Sequence, residues 1–235
     1  KAVLAKKPDL YILGEVWHTS QPWLNGDEFH AVMNYPLSDS IKDYFLSRSK
    51  KTSQFIAEIN CQSMYYKQQI SEVMFNLLDS HDTERILATA KGDIQLLKSA
   101  LAFLFLQRGT PCIYYGTELE LGGGMDPDCR RVMPWDRVSS SNDMLKFMKN
   151  LIQLRKETAD IIQHGKFSLE EIELDVLALE WEHDHQAIRA VFNQSKENYL
   201  LDRDSADLVS HCQTDDQQLV ILPKGFVVYC DESNI

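Results

Sequence analysis

Short apolar runs alternate with longer stretches of helical periodicity over about the first 160 residues. Four apolar runs, each closed by glycine, proline or polar residues, predict strands near residues 10–15, 31–34, 73–78 and 111–115. The stretches between and after them predict helices at 39–48, 53–70, 94–108 and from 142 onwards. A repeated strand–helix order predicts a parallel sheet of the α/β class.

The pattern changes after residue 162. Apolar side chains there alternate with polar ones or form short runs between turn signals, at 177–182, 187–192, 219–222 and 227–229. Short alternating strands of this kind are typical of an antiparallel sheet. We therefore expect two domains, an α/β domain at 1–162 and a small antiparallel β-sandwich domain at 163–235.

Ionisable side chains follow two of the predicted strands. Glu15 comes directly after the first strand, and Asp79, His81 and Asp82 come directly after the third. The carboxyl ends of parallel strands are where α/β barrels hold their catalytic groups. The alternative interpretation of the segment at 79–85 is a charged surface loop that caps a helix.

Glu15 and Asp82 form a candidate pair of carboxyl groups. Two carboxyl groups on either side of a sugar are the working parts of a glycosidase. A carboxyl group beside an aromatic ring suits the general acid, since burial favours the protonated form, and Trp17 stands two positions after Glu15. His81 either binds a substrate hydroxyl or orients Asp82. The structural alternatives are a surface salt bridge for Glu15 and a structural role for His81.

A glycine-rich loop at 122–137 holds the next candidates, Asp126 and Arg130. Carboxylate and guanidinium groups suit sugar hydroxyls, because both offer bidentate hydrogen bonding. Aromatic rings on which a sugar can stack lie on or near the predicted loops, at Trp17, Trp23, Tyr35 and Trp135. The alternatives are a solvated turn for the loop and core packing for each ring.

Composition narrows the classes of ligand. The chain has a net charge of −11 and no basic run, which argues against nucleic acid and anionic membranes as partners. Its five cysteines are widely spaced and form no Cys-x-x-Cys motif, which argues against a zinc site and a disulfide framework. We expect no metal, no cofactor and a neutral, cationic or protein ligand.

Three motifs together resemble the α-amylase family of glycoside hydrolases. They are Ile-Leu-Gly-Glu-Val-Trp-His at 12–18, Asn-Leu-Leu-Asp-Ser-His-Asp at 76–82 and Gly-Thr-Pro-Cys-Ile-Tyr-Tyr-Gly-Thr-Glu at 109–118. Further segments resemble the neopullulanase, cyclomaltodextrinase and maltogenic amylase subgroup, namely 22–24, 32–36, 125–131 and 133–136. The resemblance extends over essentially the whole chain.

The resemblance implies a fold and a set of roles. The chain would be strands five to eight of a (β/α)8 barrel followed by the C-terminal β domain. Glu15 would be the general acid/base, Asp82 would stabilise the transition state and His81 would contact substrate. The resemblance also implies that Tyr35, Asp126 and Arg130 line the sugar subsites. The implied reaction is retaining hydrolysis of α-1,4-glucosidic bonds in cyclodextrins, pullulan or starch oligosaccharides, or transfer of the glycosyl group to another sugar.

One part of the family pattern is missing. The family's nucleophile is an Asp in a Gly-x-Arg-x-Asp motif, and no such motif occurs in the chain. We expect it before Lys1, and we expect the chain alone to be inactive. Half a barrel would leave two strand edges free, near 10–13 and 112–115, which predicts self-association as a homo-oligomer. Unpaired cysteines and the subgroup resemblance favour a cytoplasmic protein.

Two other functions stay open on sequence alone. One is a non-catalytic α-glucan-binding module that keeps the subsite residues and naturally lacks the nucleophile. The other is an unrelated α/β barrel enzyme that shares only the Glu and His-Asp positions, which fits the 126–136 loop poorly. Upstream sequence that encodes Gly-x-Arg-x-Asp would favour the hydrolase over the binding module.

Overall fold

The computed structural model describes residues 2–203, 206–215 and 218–232. Its α-helices are α1 Ala2–Lys6, α2 Tyr35–Ile41, α3 Thr52–Ser63, α4 Gln68–Ser71, α5 Ile86–Thr89, α6 Ile94–Phe105, α7 Asp143–Glu157 and α8 Ala159–His164. Its strands are β1 Leu13–Gly14, β2 Ala31–Val32, β3 Phe75–Asn76, β4 Thr110–Pro111, β5 Lys166–Glu173, β6 Val176–His183, β7 Gln186–Asn193, β8 Tyr199–Leu201, β9 Leu208–Asp215 and β10 Gln218–Glu232.

The first four strands are parallel and adjacent in chain order, which confirms the prediction of a parallel sheet. β1 pairs with β2, and β3 pairs with β4, in parallel register. A parallel bridge between Met33 and Phe75 joins the two pairs. The strands are shorter than the predicted apolar runs, and β4 ends at Pro111, before most of its run. Within the described part of the chain, β1 and β4 each pair on one side only.

Side-chain caps fix two of the helices where the sequence places them. The carboxylate of Asp93 accepts hydrogen bonds from the amides of Gln95 and Leu96 at the start of α6. The side chain of Asn142 accepts from the amide of Leu145 at the start of α7. No helix in the described ranges is long and apolar enough to cross a membrane.

Two predicted helices differ from those observed. The helix predicted at 39–48 begins earlier, at Tyr35, because Pro36 is tolerated in the first turn, and it continues as a π-helix at Lys42–Leu46. The helix predicted at 53–70 is divided into α3 and α4. The residues between them serve other contacts, since the Tyr66 hydroxyl accepts a hydrogen bond from the amide of Ser20.

The remaining six strands form one antiparallel sheet in the order β5-β6-β7-β10-β8, with β9 also paired to β10. The long strand β10 pairs with β8 through Leu219–Ile221 and with β7 through Phe226–Glu232, and its register with β9 shifts between Ile221 and Phe226. β5, β8 and β9 were not predicted. In β5 the alternation of apolar and polar residues is broken by a register shift between Glu171 and Glu173.

The hydrophobic cluster that contains most of the buried helical residues also joins the helices to this sheet. Phe45 and Phe103 lie against Phe192, with ring centroids 5.3 and 5.8 Å away. Phe192 in turn lies 5.6 Å from Phe226. The indole nitrogen of Trp181 donates to the carbonyl of Leu106 over 2.8 Å. The sheet therefore supports α6 and, through it, the loops on either side of that helix.

Candidate active site

The candidate residues lie just beyond the carboxyl ends of β1, β2 and β3. Glu15 follows Gly14 at the end of β1, Tyr35 begins α2 shortly after β2, and the 79–85 loop follows β3 by two residues. Gly14 is required at this point, since a Cβ there would lie 2.7 Å from the ring of Phe29. Because the strands are parallel and adjacent, these three segments meet at one edge.

Glu15, His81 and Asp82 converge at that edge. One carboxylate oxygen from each acid and one ring nitrogen of the histidine all lie within 4.8 Å of one another. Nε2 of His81 is 3.2 Å from Oδ2 of Asp82. The side chains of His81 and Asp82 are 50% and 40% exposed, so the group is open to a ligand.

Tyr35 connects Glu15 to the loop at 79–85. Its hydroxyl is 3.0 Å from Oε1 of Glu15 and 3.2 Å from Oγ of Ser80. A phenol has one proton, so it donates to the carboxylate and accepts from the serine. Burial, and secondarily the Glu15 carboxylate, raise the pKa of Tyr35 to about 12. The hydroxyl therefore stays a donor to Glu15 at any working pH.

The ring of Trp17 stacks on Tyr35, not on Glu15. The two ring centroids are 4.0 Å apart and the planes differ by 8°. The outer face of Trp17 remains accessible, and Glu15 is itself exposed. The expectation that Glu15 is buried against an aromatic ring is therefore wrong, because the ring that follows it packs against Tyr35. Trp23 and Trp135 are also exposed.

Arg130 joins the loop at 122–137 to Asp82. Its Nη2 is 3.1 Å from Oδ1 of Asp82, and its Nε is 2.8 Å from Oδ1 of Asp126. Nε also donates to the carbonyl of His81 over 3.0 Å. The structure thus brings all seven predicted site residues to one region, linked through Tyr35 on one side and Arg130 on the other.

Arg85, a buried arginine beneath Glu15, His81 and Asp82, was not predicted as a site residue. Arg85 is fully buried; its Nε donates to the carbonyl of Cys129 over 2.6 Å, and its Nη1 donates to the carbonyl of Tyr115. The guanidinium lies over the ring of Tyr114, 4.0 Å from the centroid. Because Cys129 precedes Arg130, Arg85 holds the backbone that presents Arg130 to Asp82.

Asp79 also belongs to the buried part of this loop, and the sequence analysis gave it no role of its own. Its Oδ2 accepts a hydrogen bond from the amide of Ile86 over 2.9 Å, which caps α5. Burial raises the pKa of Asp79 to about 6, and the positive charge of Arg85 opposes that effect. Asp79 and Arg85 therefore fix both ends of the loop that carries His81 and Asp82.

The model of the α-amylase catalytic domain matches residues 1–165. The chain belongs to the α-amylase family. It is 44% identical over 196 residues to an intracellular maltogenic amylase of Bacillus subtilis (strain 168), which covers 83% of the chain and 33% of that protein. It is 42% identical over 203 residues to a cyclomaltodextrinase of a Bacillus species, which covers 86% of the chain and 36% of that protein. These relatives confirm the subgroup resemblance.

A solved structure shares the fold over nearly the whole chain. The cyclic α-maltosyl-(1→6)-maltose hydrolase of Arthrobacter globiformis, in complex with its cyclic sugar, superposes with a TM-score of 0.84 and 29% identity. The superposition covers 98% of the chain and 51% of that structure. The chain spans about a third of the length of the curated relatives it matches.

Proposed function

We propose that these residues belong to the active site of a retaining α-glucan hydrolase. The observation that carries the proposal is the convergence of Glu15, His81 and Asp82 within 4.8 Å at the carboxyl ends of parallel strands. Membership of the α-amylase family supports it. In this proposal β1 to β4 are strands five to eight of a (β/α)8 barrel, residues 1–162 belong to that barrel, and residues 163–235 form an antiparallel β-sandwich domain that packs against its helices.

Glu15 protonates the glycosidic oxygen as the bond to the anomeric carbon breaks. A carboxylate nucleophile attacks that carbon, and Asp82 stabilises the positive charge that develops on the sugar. Glu15 then removes a proton from water, which releases the sugar, or from a sugar hydroxyl, which gives a transfer product. Tyr35 orients the Glu15 carboxylate through its hydrogen bond, and Arg130 partly balances the charge of Asp82.

The scheme requires a third carboxylate. Among the described residues, the converging group contains two carboxylates, those of Glu15 and Asp82. We propose that the nucleophile lies outside these 235 residues, and that the chain without it does not hydrolyse glucans. Loss of a nucleophile typically costs several orders of magnitude in rate.

The substrate class is an α-1,4-glucan such as a cyclodextrin, pullulan or a starch oligosaccharide. Relatives named cyclomaltodextrinase, maltogenic amylase and neopullulanase support this choice. Trp17, His81, Asp126 and Arg130 contact the sugar in this proposal. Tyr35 was predicted to do so as well, but it is 1% exposed beneath the ring of Trp17, so its part is to orient Glu15. A relative named intracellular supports a cytoplasmic protein. In the 235-residue chain alone, the unpaired sides of β1 and β4 among the described residues support pairing with a second copy of the chain.

The test compares the 235-residue chain with the longer, full-length protein that the proposal requires, which would include the nucleophile. Release of reducing sugar from β-cyclodextrin and pullulan is measured for each, with Glu15→Gln as the variant. We expect activity from the full-length protein, a loss of at least about 1,000-fold in Glu15→Gln, and none from the chain alone. Activity of the chain that Glu15→Gln abolishes would place a nucleophile within it.

A second candidate is a non-catalytic α-glucan-binding module. The observation that favours it is that the sugar-contact residues are assembled while the group holds only two carboxylates among the described residues. Binding of β-cyclodextrin without hydrolysis by the full-length protein, weakened by Trp17→Ala, would support this candidate and exclude the hydrolase.

A further inference from the structure

A cleft of about 400 Å³ lies between the α3–α4 segment and the start of β5. This volume is within the range of small-molecule sites, about 300–1,000 Å³. Met74 and Arg108, which precede β3 and β4, also line the cleft, whereas the candidate active site lies beyond the carboxyl ends of the strands. None of the seven candidate site residues lines it, so the cleft has no part in the proposed hydrolysis.

The charges around this cleft are balanced. None of the described residues that line it is an acid, and its three basic residues are already engaged. Nε2 of His164 is 3.7 Å from Oδ1 of Asp160, and Lys166 stands opposite Glu182 in the register of β5 and β6. Arg108 donates to two backbone carbonyls. The lining therefore suits a neutral ligand better than an ion.

Neutral amides and hydroxyls supply most of the remaining polar lining. The amide of Asn60 is exposed and has no hydrogen-bond partner within the described part of the chain. Gln62 uses its Nε2 for the carbonyl of Pro36 and the hydroxyl of Ser40, which leaves its Oε1 as an acceptor. Such groups both donate and accept hydrogen bonds. The full set is Asn60, Gln62, Ser63, Gln68, Ser71 and Gln107.

Gln107 is the observation that points to a ligand. The residue is only 6% exposed, and its Nε2 donates to the carbonyl of Phe103 over 3.1 Å. Its Oε1 accepts no hydrogen bond from the described residues, yet it is not fully enclosed by protein, so it faces the cleft. A nearly buried acceptor without a partner costs free energy unless a bound group donates to it. The matching group on a neutral ligand is a hydroxyl.

Aromatic rings line the same cleft on both walls. Tyr65 and Tyr66, which follow α3, are half-buried, and their ring planes meet at 88°. On the opposite wall Phe167 lies against Trp181, with ring centroids 4.6 Å apart. A sugar offers apolar C–H faces to such rings and hydroxyls to the amides beside them. Rings combined with a few placed polar groups are typical of small-molecule sites.

We infer that this cleft binds a short neutral oligosaccharide. A sugar ring packs on Tyr65, one hydroxyl donates to Oε1 of Gln107, and another accepts from the amide of Asn60. The choice of an α-1,4-glucan such as maltotriose rests on the proposed function of the candidate active site. The experiment measures binding and not hydrolysis, so either proposal can fail while the other stands.

Isothermal titration calorimetry of the 235-residue chain with maltotriose tests the inference. Trp17→Ala is introduced first, because it weakens sugar binding at the candidate active site. In this background we expect saturable binding with a Kd of about 1 mM or tighter. Sorbitol, an acyclic polyol without a ring to stack, should give no saturable heat at the same concentrations.

Three further variants in the Trp17→Ala background define the site. Asn60→Ala and Gln107→Met each remove an amide, and we expect each to weaken binding at least about fivefold. Tyr65→Ala removes a ring and should weaken binding about tenfold or more. Asn150→Ala removes an exposed amide from α7 instead of α3, and it should leave the Kd unchanged. Cooperative melting without sugar checks that each variant is folded.

Cys61 provides a local readout of the same event. Its thiol is exposed, and its Sγ donates to the hydroxyl of Tyr65 over 3.6 Å. We expect saturating maltotriose to slow alkylation of Cys61 by iodoacetamide at least about twofold relative to sorbitol, because the sugar on Tyr65 restricts access to the thiol. Mass spectrometry of the labelled peptide measures the rate.

Three outcomes would overturn the inference. The first is the absence of saturable maltotriose binding in the Trp17→Ala chain. The second is a loss of affinity in Asn150→Ala equal to that in Asn60→Ala, which would show that the cleft is not the site. The third is alkylation of Cys61 at the same rate in saturating maltotriose and in sorbitol.

Discussion

Two of the acids in the loop at 79–85, Asp79 and Asp82, differ sharply in their exposure to solvent. Asp82 is 40% exposed and contacts His81 and Arg130, both of which are about half exposed. Asp79 is buried, and it lies with the fully buried Arg85 beneath the same loop. The exposed acid can exchange its partners for a ligand, whereas the buried one cannot do so without disrupting α5. The comparison indicates that the buried charges position the loop, whereas the exposed ones are accessible to a ligand.

We call Asp79 and Arg85 the buried layer, and His81, Asp82 and Arg130 the exposed layer. The largest expected difference between them is in how much each contributes to the free energy of unfolding. Arg85→Met leaves the carbonyls of Cys129 and Tyr115 without their donor and Asp79 without its neighbouring cation. We expect a loss of about 3–5 kcal/mol in the free energy of unfolding. Arg130→Met, on the exposed layer, should cost less than about 1 kcal/mol. Urea denaturation measures both, and equal losses would contradict the division into two layers.

The buried layer should also respond to pH. The pKa of Asp79 is raised to about 6 in the folded protein. Between about pH 4 and 6 the folded state holds a proton that the unfolded state has released, so the contribution of Asp79 to stability falls as pH rises, by about 3 kcal/mol in all. Asp79→Asn keeps an oxygen for the amide of Ile86 and removes this titration. Denaturation midpoints at about pH 4 and 6.5 compare the two proteins, and parallel pH profiles would refute the assignment.

A smaller effect is expected where the two layers meet, at Tyr35. Tyr35→Phe removes the hydrogen bond to Glu15 and keeps the ring that stacks on Trp17. A hydrogen bond to a charged group contributes about 1.5–3 kcal/mol, so kcat/KM of the full-length protein should fall about 10- to 100-fold. Steady-state kinetics on β-cyclodextrin measures the change. Unaltered kcat/KM would mean that Tyr35 does not orient Glu15.

Most of the candidate site could be predicted from the sequence. Glu15, Tyr35, His81 and Asp82 follow apolar runs that become parallel strands, and strand ends in such a sheet converge. Asp93 and Asn142 are recognisable caps because they directly precede helical periodicity. These features depend on local pattern, which a single sequence contains.

The buried layer could not be predicted from the sequence in the same way. Arg85 is buried by groups 30 and 44 residues away in the chain, the carbonyls of Tyr115 and Cys129. Nothing local distinguishes it from a surface arginine. The exposure of Glu15 was missed for a similar reason, since the ring of Trp17 has Tyr35 as its partner. The strand β5 was missed because its register shift interrupts the alternation.

Locating the covalently bound sugar tests most directly whether Glu15 is the general acid/base and whether the nucleophile lies outside these residues. The Glu15→Gln variant of the full-length protein is incubated with α-maltosyl fluoride, whose leaving group needs no general acid, and the labelled peptide is mapped by mass spectrometry. We expect a maltosyl group on an aspartate outside these 235 residues, because the glutamine in the Glu15→Gln variant cannot activate water to release it. A label on a carboxylate within residues 1–235 would show that the nucleophile lies inside the chain and would refute this proposal.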